Sequence, residues 1–238
     1  MKEKMEFKGI QKTTLIDFQG HIASTLFLSK CNFSCPYCQN PLLVRDDKSL
    51  VSIPEKEMIE LLDERKEFIE GICITGGEPT LYGKELKEFV KRIKRELKLK
   101  VKLDTNGNNP LILKELIQEK LLDYIAMDIK GPLDKYDEIA RVKVDKKAVQ
   151  ESIDLIMNSG LEYEFRTTIV PEFFSREDAI SIGKWLMGAK KYFLQQFNNQ
   201  TELLDPEFKE KKPYPPEKLK ELAQLMKPFF GECGVRGI

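Results

Sequence analysis

Histidine and tryptophan are almost missing from this chain of 238 residues, with one of each. No apolar run is long enough to cross a bilayer. Net charge is missing as well: 39 basic residues are matched by 39 acidic ones. That balance argues against a general nucleic-acid binder or a polybasic membrane-surface protein. Met1–Gly9 alternates Lys and Glu without an apolar core, so it does not read as a signal peptide. There is no low-complexity stretch, long linker or fixed-period repeat, and the expectation is one domain over residues 1–238. The expected location is the cytoplasm, where thiols stay reduced and cysteines signal metal or chemistry. Cysteine is itself scarce, five in all, yet three of the five fall within eight residues.

What is present is an alternation of short apolar strands and amphipathic helices. Strands are expected at Ile22–Leu28, Ile72–Thr75, Val101–Asp104, Tyr124–Ile129, Phe165–Val170 and Tyr192–Phe197. Helices are expected from Pro54 (with Met58, Leu61, Leu62 and Phe68 on one face), then at Lys84–Lys98, Leu111–Lys120, Lys146–Asn158 and Ser175–Met187. A closing helix follows at Pro215–Phe230, capped by Gly231. Strand-then-helix order implies a parallel sheet with right-handed crossovers. The fold class is therefore α/β, a partial (β/α)6 barrel open on one side, with a short N-terminal extension. In such barrels the site lies at the C-terminal ends of the strands.

The first of those ends carries Cys31-Asn-Phe-Ser-Cys35-Pro-Tyr-Cys38, spaced C-x3-C-x2-C. Pro36 disfavours a helix, and a loop can wrap three thiolates around an inorganic core. A fully ligated cubane takes four cysteines, so three leave one iron open. Zinc is the competing reading, but structural zinc wants four closed ligands. Only His21, Cys73 and Cys233 remain to complete a set, none in a paired motif. Cys73 lies in an apolar strand and reads as packing; Cys233 has no assignable role.

The other strand ends are polar too. Thr75-Gly76-Gly77-Glu78-Pro79 follows the second strand: two glycines allow close backbone approach, and Glu78 is suited to an ammonium group. Taken alone, the segment is also an ordinary turn. Asp104-Thr105-Asn106-Gly107 follows the third strand and doubles as a tight turn. On the fourth, Asp128 and Lys130 share a face because residues two apart do so. They suit a zwitterionic head group, or pair with each other. Arg166 lies on the fifth strand, and Gln195–Asn198 ends the sixth.

The cysteine spacing after a first strand, with Gly76-Gly77-Glu78-Pro79, resembles the radical S-adenosylmethionine (SAM) superfamily. Together with Asp104–Gly107, Met127–Pro132 and Arg166–Pro171, it resembles the activases of glycyl-radical enzymes, above all that of anaerobic ribonucleotide reductase. The resemblance implies a [4Fe–4S] cluster on Cys31, Cys35 and Cys38, and SAM on its open iron. It places Tyr37 against the adenine. Gly76, Gly77, Glu78, Asp104, Thr105, Asp128 and Lys130 would lie around the methionine end, Asn198 near the nucleoside, and Arg166 among the cofactor-binding residues. Asp17 would stand near the entrance for an incoming glycine loop. It further implies reductive cleavage of SAM to a 5′-deoxyadenosyl radical, a glycyl-radical enzyme as partner, and flavodoxin or ferredoxin as electron donor. No nucleic acid or membrane is expected. The chain departs from that pattern at Gln19, at Gln39 and at Lys30, where glycine commonly precedes the first cysteine. The alternatives are a radical enzyme acting on a small metabolite, with Pro206–Pro216 as a lid, and a non-catalytic zinc or scaffold module.

Overall fold

The computed structural model describes residues 5–238. Residues 1–4 of the Lys/Glu stretch lie outside it. A nine-stranded sheet forms the centre, made of β1 (Glu6–Thr14), β2 (Ala23–Leu28), β3 (Ile53–Pro54), β4 (Gly71–Gly76), β5 (Lys100–Thr105), β6 (Tyr124–Asp128), β7 (Glu162–Ile169), β8 (Lys191–Gln196) and β9 (Glu232–Arg236). Their order across the sheet is β3-β1-β2-β4-β5-β6-β7-β8-β9. From β2 to β9 the neighbours run parallel, while β1 is antiparallel to both β2 and β3. β3 and β9 have one neighbour each, so the sheet is open.

The six expected strands all appear, within three residues at every end. Three strands were not expected: the two-residue β3 and two longer ones. The N-terminal extension is β1, and a strand, β9, follows the closing helix. Neither advertises itself, because β1 buries only Phe7 and Thr14 and β9 buries nothing fully. Their pairing is supplied by the edges of a sheet already specified elsewhere.

The helices are α1 (Pro41–Val44), α2 (Glu55–Asp63), α3 (Lys84–Arg92), α4 (Pro110–Gln118), α5 (Tyr136–Ala140), α6 (Lys146–Met157), α7 (Arg176–Trp185) and α8 (Pro216–Met226). α3 is shorter than its periodicity implies: a π turn takes over at Ile93–Leu97 and stops at Lys98, in the left-handed region with φ 58°. α2 likewise ends before Phe68, which is 73% exposed, and Ile69 is buried in its stead. α7 starts on a capping box between Ser175 and Asp178, the arrangement that satisfies two otherwise unpaired amides.

Period-two alternation sorts the strand residues onto two faces. Ile72, Ile74, Val101, Leu103, Ile125, Met127, Phe165 and Leu194 join the main apolar core with the helices. The opposite face carries Cys73, Lys102, Asp104, Tyr124, Asp128, Glu164 and Arg166. Its N-terminal end is closed by Phe18, from the β1–β2 loop, which packs with Ala23, Tyr124 and Ala126 as a separate small core. One sheet therefore has a dry face that holds it together and a charged face left for chemistry.

Candidate active site

The charged face opens into a cleft of about 640 Å³ at the C-terminal strand ends. The cysteine loop forms one wall. Lys30 N–H donates to the Leu43 carbonyl at 2.7 Å, and Ser34 N–H donates to that of Ala140 at 2.8 Å. Cys38 N–H returns to the Cys35 carbonyl at 3.0 Å. From the far side, residues 198–214 cross over the loop: Leu204 and Asp205 N–H donate to the Cys38 and Pro36 carbonyls, both at 2.9 Å. Leu203 and Phe208 are buried there, and Phe208 stacks on Phe173, which meets Tyr37. The stretch expected as a lid, Pro206–Pro216, begins just after this crossing, and its Phe208 is linked to Tyr37 through Phe173.

Cys31, Cys35, Tyr37 and Cys38 all border the cleft. Burial pushes the Cys31 thiol up to about 12, and raises Cys35 and Cys38 as well. Among the described residues, no three His, Cys, Asp or Glu side chains close around a single ion. Cys73 and Cys233 lie elsewhere, on β4 and β9. Three sulfurs on one wall, with no fourth, suit a larger inorganic core that keeps one iron free.

Gly76 and Gly77 border the cleft, but their main constraint is the protein itself. A Cβ on Gly76 would strike the Leu28 backbone, and one on Gly77 the Lys30 carbonyl. Gly77 and Glu78 N–H bond the Leu28 and Lys30 carbonyls at 2.8 and 2.7 Å, which requires that closeness. Lys30 pays for the same turn with φ 64°, a conformation glycine adopts without the cost to other residues of about 1 kcal/mol. It retains an ion pair to Asp46 at 3.6 Å. Lys30→Gly is expected to stabilise the protein by up to about 1 kcal/mol, read as a higher midpoint in urea unfolding.

Glu78 does not border the cleft. It is 1% exposed, and its carboxylate faces inward. Oε1 accepts from Thr80 N–H, Thr80 Oγ1 and Thr105 Oγ1 at 3.0, 2.5 and 2.8 Å; Oε2 accepts from Asn106 N–H at 2.6 Å. The carboxylate thus forms a buckle joining two strand-end turns. Asn106, which the sequence reading passed over, extends it: Nδ2 donates to Asn32 Oδ1 at 2.8 Å in the cysteine loop.

Asp104, Thr105, Asp128, Lys130, Arg166 and Asn198 all line the cleft. The charges alternate. Lys102 Nζ donates to Asp104 Oδ1 at 2.6 Å; Arg166 forks to Asp104 Oδ2 at 2.9 Å and Asp128 Oδ1 at 2.6 Å; Lys130 Nζ donates to Asp128 Oδ2 at 3.0 Å. The pairing of Asp128 with Lys130 is therefore present, and Arg166 joins it to Asp104. Lys102 was missed, although its position two before Asp104 placed it on the same face. Cys73 is corrected: it is buried, but on the charged face, with its sulfur 3.6 Å from Asp104 Oδ1 and 3.7 Å from Lys102 Nζ. Asp17 sits away from the cleft, in the loop before β2, accepting from Thr25 Oγ1 at 2.6 Å.

Burial acts to raise the Asp104 and Asp128 carboxyls, but Arg166 with Lys102 and Lys130 outweighs it and holds both below the usual range. Their contribution to stability is complete above the unfolded carboxylate range, about pH 4. It is lost as pH falls further and the folded-state groups take up protons. Melting temperature is expected to fall more steeply below about pH 4 in the native protein than in Asp128→Asn.

Residues 25–181 match the radical SAM superfamily, and the chain belongs to it. Its cofactors are accordingly SAM and a [4Fe–4S] cluster, and the donor set just described fits both. A provisionally named glycyl-radical enzyme activating enzyme of Methanocaldococcus jannaschii is 35% identical over 235 residues, 97% of this chain and 95% of the relative. A 7-carboxy-7-deazaguanine synthase of Methanothermobacter thermautotrophicus is 33% identical over 108 residues, 42% of this chain and 38% of the synthase. The solved SuiB of Streptococcus suis superposes with a TM-score of 0.65 at 16% identity. It covers 88% of this chain, which spans about half the SuiB length (48%). At that identity the likeness establishes the fold. No described helix is long and apolar enough to cross a membrane.

Proposed function

We propose that this enzyme installs a glycyl radical on a partner enzyme, anaerobic ribonucleotide reductase being the first candidate. The observation that carries the reading is the 35% identity to the Methanocaldococcus activating enzyme over nearly the full length of both chains. The open sheet, which ends at β9 instead of closing on β3, supports it, since a barrel that does not close admits a partner's loop. Cys31, Cys35 and Cys38 ligate the cluster. Tyr37 lies by the adenine through its backbone, and Asn198 by the nucleoside. The backbone of Gly76 and Gly77 meets the ammonium end of methionine. Asp104 and Asp128 are already bridged by cations, so they hold Lys130 and Arg166 in place to receive the carboxylate, beside Thr105. When bound, the cofactors would supply one-electron reductive cleavage of SAM and, with it, the acceptor for a hydrogen atom from the partner's glycine. Flavodoxin or ferredoxin supplies the electron.

Anaerobically reconstituted protein with dithionite and SAM is expected to release 5′-deoxyadenosine. With anaerobic ribonucleotide reductase added, the glycyl-radical doublet is expected by EPR. Cleavage without a doublet on any glycyl-radical enzyme, but with a small metabolite consumed, would move the substrate to the metabolite class.

A further inference from the structure

The charged face carries a second ion pair that the cofactor reading leaves unused. Glu164, on β7, has a side chain 2% exposed. Its carboxylate accepts from Arg236 Nη1 and Nη2 at 2.6 and 2.7 Å, and from the Tyr124 hydroxyl at 2.9 Å. Arg236 comes from β9, lies 3.7 Å from the centre of the Phe193 ring, and borders the cleft beside Gly237. Two more cations, Lys102 and Arg166, act on Glu164, and Lys102 is held by Asp104. Arg166 Nη1 stands 4.0 Å from Glu164 Oε1, in electrostatic contact but beyond hydrogen-bonding distance, because its Nε and Nη2 are committed to Asp128 and Asp104.

We propose that Arg236 is a positioning residue for the SAM site: by occupying Glu164, it leaves Arg166 free to tie Asp104 to Asp128. The proposal rests on the reading of Lys130 and Arg166, held by those two carboxylates, as facing SAM. A buried carboxylate that loses its partner is strongly unfavourable, and Arg166 is the cation next to it. The guanidinium is a rigid plane with its donors in fixed directions. Turning Nη1 onto Glu164 draws Nε and Nη2 away from the other two carboxylates. Asp104 and Asp128 then lose their shared bridge, and Lys130 loses its fixed anchor. The last strand thus communicates with the cofactor platform through one competition, Glu164 against two aspartates for a single arginine.

That competition has a signature no simple latch shares. SAM affinity is measured anaerobically by calorimetry on cluster-reconstituted protein. Arg236→Gln is expected to weaken binding about tenfold, within the range usual for coupled sites. Adding Glu164→Gln removes the competitor, so the double variant is expected to return to within about twofold of the native affinity. Should Arg236→Gln fail to fold, Arg236→Lys, which keeps the charge but not the paired donors, enters the same comparison. If Arg236 only fastens β9 to the sheet, the double variant will bind no better than the single one, and the proposal is overturned. It is equally overturned by native affinity in the single variant. Absence of SAM binding by the native protein would instead sink the cofactor reading itself.

Discussion

Cys35→Ser, reconstituted anaerobically with iron and sulfide, is expected to hold far less of both than the native protein and to release 5′-deoxyadenosine only at background. The reason is ligand count. The site offers three thiols and no reserve, since Cys73 is engaged with Asp104 and Lys102 and Cys233 packs against the core from β9. Thiolate is the ligand an iron–sulfur core requires, and a serine hydroxyl is a poor substitute. The loop itself should survive. Its shape is set by backbone hydrogen bonds from Ser34, Cys38, Leu204 and Asp205, none of which needs the Cys35 sulfur. Cys73→Ser and Cys233→Ser serve as controls and are expected to keep full iron and sulfide. Native iron content in Cys35→Ser, or its loss in Cys73→Ser, would reassign the ligands.

The parts of the fold that were legible in the sequence are those whose residues carry their own signal. Six apolar strands with turn residues at their ends, and helices with one apolar face, specify the parallel core before any contact is known. β1 and β9 escaped because their pairing depends on edges made by other segments; Ala23–Leu28 supplies the partner for one and Lys191–Gln196 for the other. The site divides along similar lines. Spacing was enough to bring Cys31, Cys35 and Cys38 to one wall of the cleft, and alternation was enough to pair Asp128 with Lys130. Alternation could also have found Lys102, and it puts Cys73 on the charged face beside Asp104. Arg236 could not be found that way. It is 72 residues from Glu164 in the chain, and only the position of β9 beside β8 brings it to the cleft. Glu78 is the instructive case, because its motif was recognised while the direction of its side chain was not.

That direction makes a sharp prediction. Glu78→Gln is expected to lower stability by about 3 kcal/mol, the scale for leaving buried donors unmet, or roughly 10 °C in melting temperature for a chain of this size. Every group facing the carboxylate is a donor: two backbone amides, of Thr80 and Asn106, and the hydroxyls of Thr80 and Thr105. The hydroxyls can rotate; the amides cannot. A glutamine presents one NH2 where an oxygen stood, and either orientation sets it against a fixed N–H. Burial raises the Glu78 carboxyl, while these donors work in the opposite direction and favour the charged form. The measurement belongs on protein lacking both cofactors, where a residue needed only to touch SAM would leave the melting curve unchanged. A large loss there identifies Glu78 as the buckle that holds Thr105 and Asn106 against the cysteine loop. In that case weaker SAM binding by the variant follows from the displaced turn. An unchanged melting curve with weakened SAM binding would return Glu78 to direct contact with the cofactor.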